Sequence, residues 1–293
     1  MISCPRCSVS LTHHTGAHGG KLLCHLCGYS EPLPVECPSC GANKLSFLGF
    51  GTQKLESELE KYLPDMHVMR MDADTTGGKL SYDKMLEEFR AGDADILLGT
   101  QMVAKGHDFP KVTLVGVALA DTSLYHSDFR ASEKTFSLLT QVIGRAGRAR
   151  SGGRAVIQTF SPGNEVIRLA CMQDYDRFYE GEIALRRELS YPPFCDMVNL
   201  TLTSSDESRL MQESDRLSDL IKEKLTGEYS KLPFMIFGPF EAQIYRLNEK
   251  YRMRIVVKCR LNKNSRKLFH ELLCEWATVR DVTLSVDLNP LTV

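Results

Sequence analysis

Six of the ten cysteines fall in three Cys-x-x-Cys pairs within the first 40 residues: Cys4/Cys7, Cys24/Cys27 and Cys37/Cys40. Each two-residue turn lets a pair of thiolates converge on one ion, and a hairpin between two pairs brings them opposite each other as a tetrahedral S4 site. The first two pairs read C-x2-C-x16-C-x2-C, inside the spacing range of a zinc ribbon. Pro5, Gly28, Pro38 and Gly41 stand at the turns. Zinc is therefore expected on Cys4, Cys7, Cys24 and Cys27. A redox Cys-x-x-Cys belongs in a thioredoxin-like βαβ context, and neither it nor free thiols account for three pairs in succession. Cys37 and Cys40 have the same chemistry, but no fourth pair follows. Their partners stay open: His13, His14, His18 or His25 could supply nitrogen, or a further pair lies upstream of Met1 and the chain is the C-terminal part of a longer protein. Cys171, Cys195, Cys259 and Cys274 are scattered singly and are expected as buried thiols of a reducing compartment.

A second chemical pattern runs from Gln141 to Arg148, QVIGRAGR. On one helix Gln141, Arg145 and Arg148 lie at i, i+4 and i+7 and share a side. Gly144 and Gly147 leave room beside them for another surface. Two arginines so displayed suit a polyphosphate whose transition-state charge must be neutralised, a role worth ~10³–10⁵ in rate. The plainer reading is a solvated basic helix end. Upstream, Gly99-Thr100-Gln101 follows an apolar strand, at the edge where α/β sheets bind ligands. Lys105, Gly106 and Asp108 continue that loop. A third pattern is basic: nine Lys and Arg lie between Arg246 and Lys267 against one acid, Glu249. Along YRMRIVVK the period of two sets Arg252, Arg254 and Lys258 on one face and Met253, Ile255 and Val257 on the core face. Tyr245 and Tyr251 are expected beside the basic face as stacking platforms for bases. Protection of a sheet edge by solvated cations is the alternative.

The elements that position these residues follow from periodicity. Apolar runs at 45–50, 67–72, 94–100, 112–121 and 154–160 alternate with helical patterns, the longest from Ala131 to Arg148. Strands apolar throughout and separated by amphipathic helices make a parallel sheet covered on both faces. Residues 162–194 read as helical up to Tyr191-Pro192-Pro193-Phe194, a boundary. Beyond it the order is βαββαβ, a split-βαβ arrangement with an antiparallel sheet. The expected divisions are 1–41, 42–162, 163–195 and 196–293, and the fold class is α/β with a small metal module and a C-terminal α+β domain.

Composition bounds the rest. Hydrophobic residues are 43% and charged residues 25%, the balance of an ordinary folded protein rather than a disordered one. No run approaches the ~18 apolar residues of a membrane span, so no membrane partner is expected. MISCPRC lacks the features of a secretory signal, and a cytoplasmic location is expected. With 36 Lys and Arg against 37 Asp and Glu the net charge is −1, so local clusters must decide on nucleic acid.

The run GTQMVAKGHDFP, a strand, and then TQVIGRAGRA resembles motifs V and VI of superfamily 2 helicases. More narrowly, together with the preceding cysteines, RMDADTT and the βαββαβ domain, it resembles the PriA (primosomal protein N′) family of bacterial replication-restart helicases. The resemblance spans nearly all 293 residues. It implies a zinc-binding module, a RecA-like second helicase lobe, a helical connector and a C-terminal domain that binds DNA forks and partners. It implies Arg145 and Arg148 as arginine fingers with Gln141 coupling ATP to DNA, and Thr100, Gln101 and Lys105 on the DNA strand. It implies Gly106 and Asp108 along the nucleotide cleft, and two zincs per full-length protein, one completed at Cys37 and Cys40 by an upstream pair. The implied partners are branched or single-stranded DNA, single-strand-binding protein and other primosome proteins, and the implied activity is 3′→5′ ATP-driven unwinding in replication restart. The chain departs from a complete motor. No G-x-x-x-x-G-K-[ST] loop occurs: Lys21 is followed by Leu22, and Lys79 by Leu80. No acidic magnesium-binding strand occurs either. ATP and Mg2+ would come through a lobe outside this sequence, and the chain alone is expected to be silent. The alternative is a non-catalytic zinc-dependent nucleic-acid adaptor built on a degenerate helicase lobe.

Overall fold

The computed structural model describes residues 2–14, 20–36, 41, 51–72, 79–104, 109–125, 128–146 and 153–291. The cysteine-rich segment folds as a three-stranded antiparallel sheet of β1 (Thr12–His14), β2 (Lys21–Leu23) and β3 (Ser30–Pro32), in that order. The Cys24–Gly28 turn joins β2 to β3. Gly28 adopts φ +72°, a left-handed position that suits glycine, and its N–H donates to the Cys24 carbonyl at 2.9 Å. The other cysteine turn closes through Cys4 N–H to Val9 O at 2.9 Å.

The next stretch alternates strands and helices. α1 (Thr52–Tyr62) precedes β4 (Val68–Met71), α2 (Lys79–Ala91), β5 (Ile96–Gly99) and the short α3 (Gln101–Ala104). Then come β6 (Leu114–Val117), α4 (Asp121–Leu124), α5 (Ala131–Ala146), β7 (Arg154–Ile157), α6 (Glu165–Met172) and α7 (Tyr175–Glu188). β4 pairs with β5 and β6 with β7, both in parallel, as continuous apolar runs predict. The strand expected at 112–121 is shorter. After β6 the chain turns into α4, whose Asp121 accepts hydrogen bonds from Thr159 Oγ1 (2.9 Å) and Phe160 N–H (3.0 Å) beyond β7. The expected strand at 45–50 lies outside the described residues, as does the end of the predicted 131–148 helix beyond Ala146. Met71, Leu86 and Phe109 form one buried cluster, and Phe136, Leu139, Ile167, Ala170 and Phe178 another.

The C-terminal elements are β8 (Asp196–Ser204), α8 (Glu207–Thr226), β9 (Met235–Leu247), β10 (Lys250–Cys259), α9 (Lys263–Trp276) and β11 (Thr283–Leu288). Their sheet order, β11-β8-β10-β9, is antiparallel throughout, so each βαβ half is split by a strand of the other. Val198, Leu200 and Leu202 of β8 and Met253, Ile255 and Val257 of β10 face Leu210, Leu217 and Ile221 of α8 and Leu268, Leu272 and Trp276 of α9. The period of two in both strands thus puts one face of the sheet under the helices. Asp206 and Asn262 cap the two helices by accepting their first N–H groups.

The chain divides into two compact units. One joins Met1–Phe47 to Ala184–Val293, and the other is Leu48–Ile183. The cysteine ribbon therefore belongs with the C-terminal domain, which lies far from it in sequence. The single cysteines divide as well. Cys259 is buried, but Cys171 and Cys274, expected inside, are exposed. Cys274 lies on the outer side of α9 with His270, Sγ to Nε2 3.6 Å, because Leu272 and Trp276 take the inner side.

Candidate functional site

The four thiols of the ribbon converge. Cys4, Cys7, Cys24 and Cys27 all have Sγ atoms within 4.8 Å of one another, and Cys4 to Cys27 is 3.6 Å. A tetrahedral ion with ~2.3 Å bonds to sulfur sets its ligands about 3.8 Å apart. A disulfide would need ~2.05 Å. The donor set therefore fits zinc. The Arg6 N–H donates to Cys4 Sγ at 3.4 Å, as knuckle backbones do toward thiolates. Protonation is shared unevenly. Burial pushes up the Cys4 and Cys7 thiols. Burial acts the same way on Cys24, but the N–H groups of Cys27 and Leu26 outweigh it and hold that thiol at about 7. Zinc bound here would replace those protons, since the metal takes thiolates. Among the described residues no other such cluster occurs. Cys37 and Cys40 lie outside the described residues, as does His18.

The arginine helix is α5. Gln141 is exposed and donates to Ser137 Oγ at 3.1 Å, and Arg145 is half-buried one turn further on. Phe136 and Leu139 anchor the opposite side in the core. A Cβ added at Gly144 would meet nothing within 4 Å, so the glycine leaves open space beside Arg145. Arg148 lies outside the described residues. At the carboxyl end of the β4–β5 pair, Gly99 is tightly constrained: a Cβ there would come within 2.5 Å of the Met71 carbonyl. That close approach lets the chain turn straight into α3, leaving Thr100 and Gln101 exposed at the sheet edge. Lys105, Gly106 and Asp108 lie outside the described residues.

Sequence reasoning missed a polar network at the same edge. Asp72, 6% exposed, accepts from Thr52 Oγ1 (2.5 Å) and Arg70 Nη1 (2.6 Å), while Arg70 Nε lies 2.8 Å from Glu56. It fastens the first turns of α1 to the end of β4. The signal was present: Arg70 stands between Met69 and Met71 in a buried strand, and a cation there needs a carboxylate.

On β10 the basic residues separate. Arg252 and Arg254 face away from the helices, opposite Thr203 and Thr201 of β8, which in turn face Thr283 and Ser285 of β11. The Arg254 guanidinium lies over the Phe240 ring at 4.9 Å, and burial pulls its pKa down. Lys258 departs from the expectation. It is 8% exposed, its Nζ donates to Leu189 O at 2.8 Å and sits 3.6 Å from the centre of the Tyr191 ring. Its ammonium holds the segment before the domain. The tyrosines depart too. Tyr251 shares the core-side register of Met253, and it packs with Tyr245 at 5.4 Å against the helix-covered core. Tyr245 OH donates to Glu207 at 2.7 Å. Other cations of the run are also in use: Arg246 Nη1 donates to Pro5 O, and Arg260 Nη1 to Pro193 O.

Comparison with known proteins matches these regions in turn. Residues 4–32 match the PriA DNA helicase Cys-rich region domain, 44–150 the helicase conserved C-terminal domain and 187–291 the primosomal protein N C-terminal domain. The replication restart protein PriA of Bacillus subtilis (strain 168) is 42% identical over 290 residues, covering 98% of this chain and 35% of its own length. Those of Chlamydia pneumoniae and Haemophilus influenzae are 36% and 32% identical over 99% of the chain, which spans 38% and 39% of their lengths. The chain thus spans little more than a third of these curated relatives. With three consecutive regions matched and the similarity running through ribbon, parallel lobe and split-βαβ domain alike, the chain belongs to the PriA family and corresponds to the portion that carries those three regions.

Proposed function

We propose that these residues form the second motor lobe, zinc ribbon and C-terminal domain of an ATP-dependent DNA helicase that moves 3′→5′ and acts in replication restart in the cytoplasm. The observation that carries this reading is the order of three matched regions on one chain, with Gln141 and Arg145 on a helix anchored in the lobe core. In this reading Arg145 and Arg148 neutralise charge on a nucleotide held by a P-loop lobe, and Gln141 links that contact to DNA. Thr100, Gln101 and Lys105 hold the backbone of the tracking strand, and Gly106 and Asp108 border the nucleotide. ATP and Mg2+ supply phosphoryl-transfer chemistry once that lobe is present. Two zincs serve the full protein, one at Cys4, Cys7, Cys24 and Cys27 and the other through Cys37 and Cys40.

Arg252 and Arg254, on the open face of the C-terminal sheet, are the DNA contacts proposed there. Lys258 is left out because of its burial. Branched or single-stranded DNA, single-strand-binding protein and other primosome proteins are the proposed partners. No helix among the described residues is long and apolar enough to cross a membrane.

The test is ATP hydrolysis with and without forked DNA, by this chain alone and mixed with a P-loop lobe from a relative. Silence alone and DNA-stimulated turnover in the mixture are expected. Hydrolysis by the chain alone, unaffected by Arg145→Ala, would overturn the reading.

A further inference from the structure

The β9–β10 hairpin ends in a two-residue turn at Asn248 and Glu249, with φ +50° and +65°. That turn meets the ribbon at one of its cysteine knuckles. The Asn248 N–H points to Cys7 Sγ at 3.5 Å, across 241 positions of sequence. The Glu249 N–H donates to Arg6 O at 2.9 Å, and the Ser8 N–H to Arg246 O at 2.8 Å. Arg246 returns two bonds, N–H to Ser8 Oγ at 3.0 Å and Nη1 to Pro5 O at 3.1 Å. Leu247 packs against the cluster formed by Cys4, Cys7 and Cys24. The contact therefore covers one knuckle from Pro5 to Ser8 and includes a thiol that the metal would take.

Four thiolates around a divalent ion leave a local charge of about −2, which N–H donors to sulfur and nearby guanidinium groups offset. Such outer partners also fix the direction of each sulfur lone pair, and losing one commonly costs ~10–100-fold in metal affinity. Three of the four cysteines obtain their donors from their own knuckles. Cys7 obtains one from the C-terminal domain.

We propose that the β9–β10 hairpin is the outer shell of the thiolate centre. Asn248 is a positioning residue through its backbone N–H, and Arg246 and Leu247 hold that N–H in place, so metal retention by the ribbon depends on the C-terminal domain. The coupling is reciprocal: the metal fixes the knuckle on which the hairpin rests, and Arg252 and Arg254 lie on the strand that leaves the hairpin. This inference rests on the zinc reading of the cysteine cluster.

The test uses the full chain loaded with zinc and transferred into excess chelating indicator. Arg246→Ala and Leu247→Ala are expected to release zinc about 10-fold faster or more. Asn248→Gly, which keeps the N–H and the positive φ, is expected to behave as the unaltered chain. The single tryptophan, Trp276, lies in the core of the C-terminal domain, and its unchanged emission would show that domain still folded. With cobalt in place of zinc, the sulfur-to-metal charge-transfer band is expected to shift in Arg246→Ala and not in Asn248→Gly, a signature that mere loss of packing would not move. Equal release rates and equal bands in Arg246→Ala, Leu247→Ala and the unaltered chain would overturn the proposal while leaving the zinc site standing. A chain that binds no zinc would instead defeat the metal reading itself.

Discussion

The thiolate centre and the arginine helix are built in opposite ways. Cys4, Cys7, Cys24 and Cys27 meet within 4.8 Å, and the chemistry they can do is visible from those four residues. α5 is anchored by Phe136 and Leu139 but presents Gln141 and Arg145 beside open space at Gly144. A metal site must gather all its donors around one ion, so its geometry is complete in one place. In the proposed reading α5 belongs to a motor site, which would work by bringing two surfaces together, so this half would display residues whose reaction needs the other surface. The first kind of site stabilises its own fold, and the second is held by a fold that would stand without it.

The largest effect that would break this contrast is on the ribbon. Cys24→Ser is expected to abolish zinc binding at the cluster, because structural zinc supplies ~10–16 kcal/mol of apparent binding free energy in small zinc domains. Metal analysis checks it, and full zinc content in the variant would remove the cluster from consideration. Arg145→Ala should act on rate and not on fold. In the mixture with a P-loop lobe it is expected to lower ATP turnover by ~10³–10⁵, about 4–7 kcal/mol of transition-state stabilisation, with forked-DNA binding kept. Equal loss of both would mean that α5 supports the lobe rather than the reaction.

Acid separates the two regions further. Zinc competes with protons for its thiolates, so acidification releases it. In the lobe, burial works against ionised Asp121, but the Phe160 N–H and the Thr159 hydroxyl outweigh it, and its pKa falls below the ordinary carboxylate value. Burial is likewise outweighed at Asp128, by Lys134 and Arg130. A carboxylate with a depressed folded pKa contributes stability that is present above its unfolded pKa of about 3.9 and is lost as pH falls through the lower folded value. Zinc release is therefore expected at higher pH than unfolding of the lobe. A titration following metal by indicator and the lobe by far-ultraviolet dichroism checks the order, and simultaneous loss would show that the two are one cooperative unit.

Much of this architecture was legible in the sequence, and the gaps have physical causes. The knuckles show because ligand spacing is local, and the βαββαβ order shows because Val198, Leu200 and Leu202 alternate with polar residues. Periodicity assigns a face to Lys258 but says nothing about what covers it; Leu189 and Tyr191 do so. The same period, followed one step back from Met253, places Tyr251 on the core side, against its expected role beside Arg252. The docking of Arg246 and Asn248 on the first knuckle leaves no sequence pattern, because a contact across 241 positions has no period. Arg148, singled out by its helical spacing from Gln141 and Arg145, and Gly106 and Asp108, whose nucleotide-cleft role comes from the family resemblance, lie outside the described residues.

Two cations on one strand give the finest test of how far a sequence pattern predicts role. Lys258→Ala is expected to destabilise the unit that joins Met1–Phe47 to Ala184–Val293 by ~1.5–3 kcal/mol, the usual scale for a hydrogen bond from a charged group, by freeing Leu189 O and emptying the space under Tyr191. Denaturant unfolding followed by Trp276 emission reads that loss, and the salt dependence of DNA binding is expected to stay unchanged. Arg254→Ala should do the reverse. Its side chain lies on the open face over Phe240, so its removal has little to collapse. If it contacts phosphate, the slope of log affinity against log salt falls by ~1, with weakening that is uniform across DNA sequences. An unchanged slope in Arg254→Ala together with a lowered slope in Lys258→Ala would exchange the two roles. It would mean that Lys258 leaves Leu189 and Tyr191 when DNA arrives, and that the buried cation, rather than the displayed one, makes the contact.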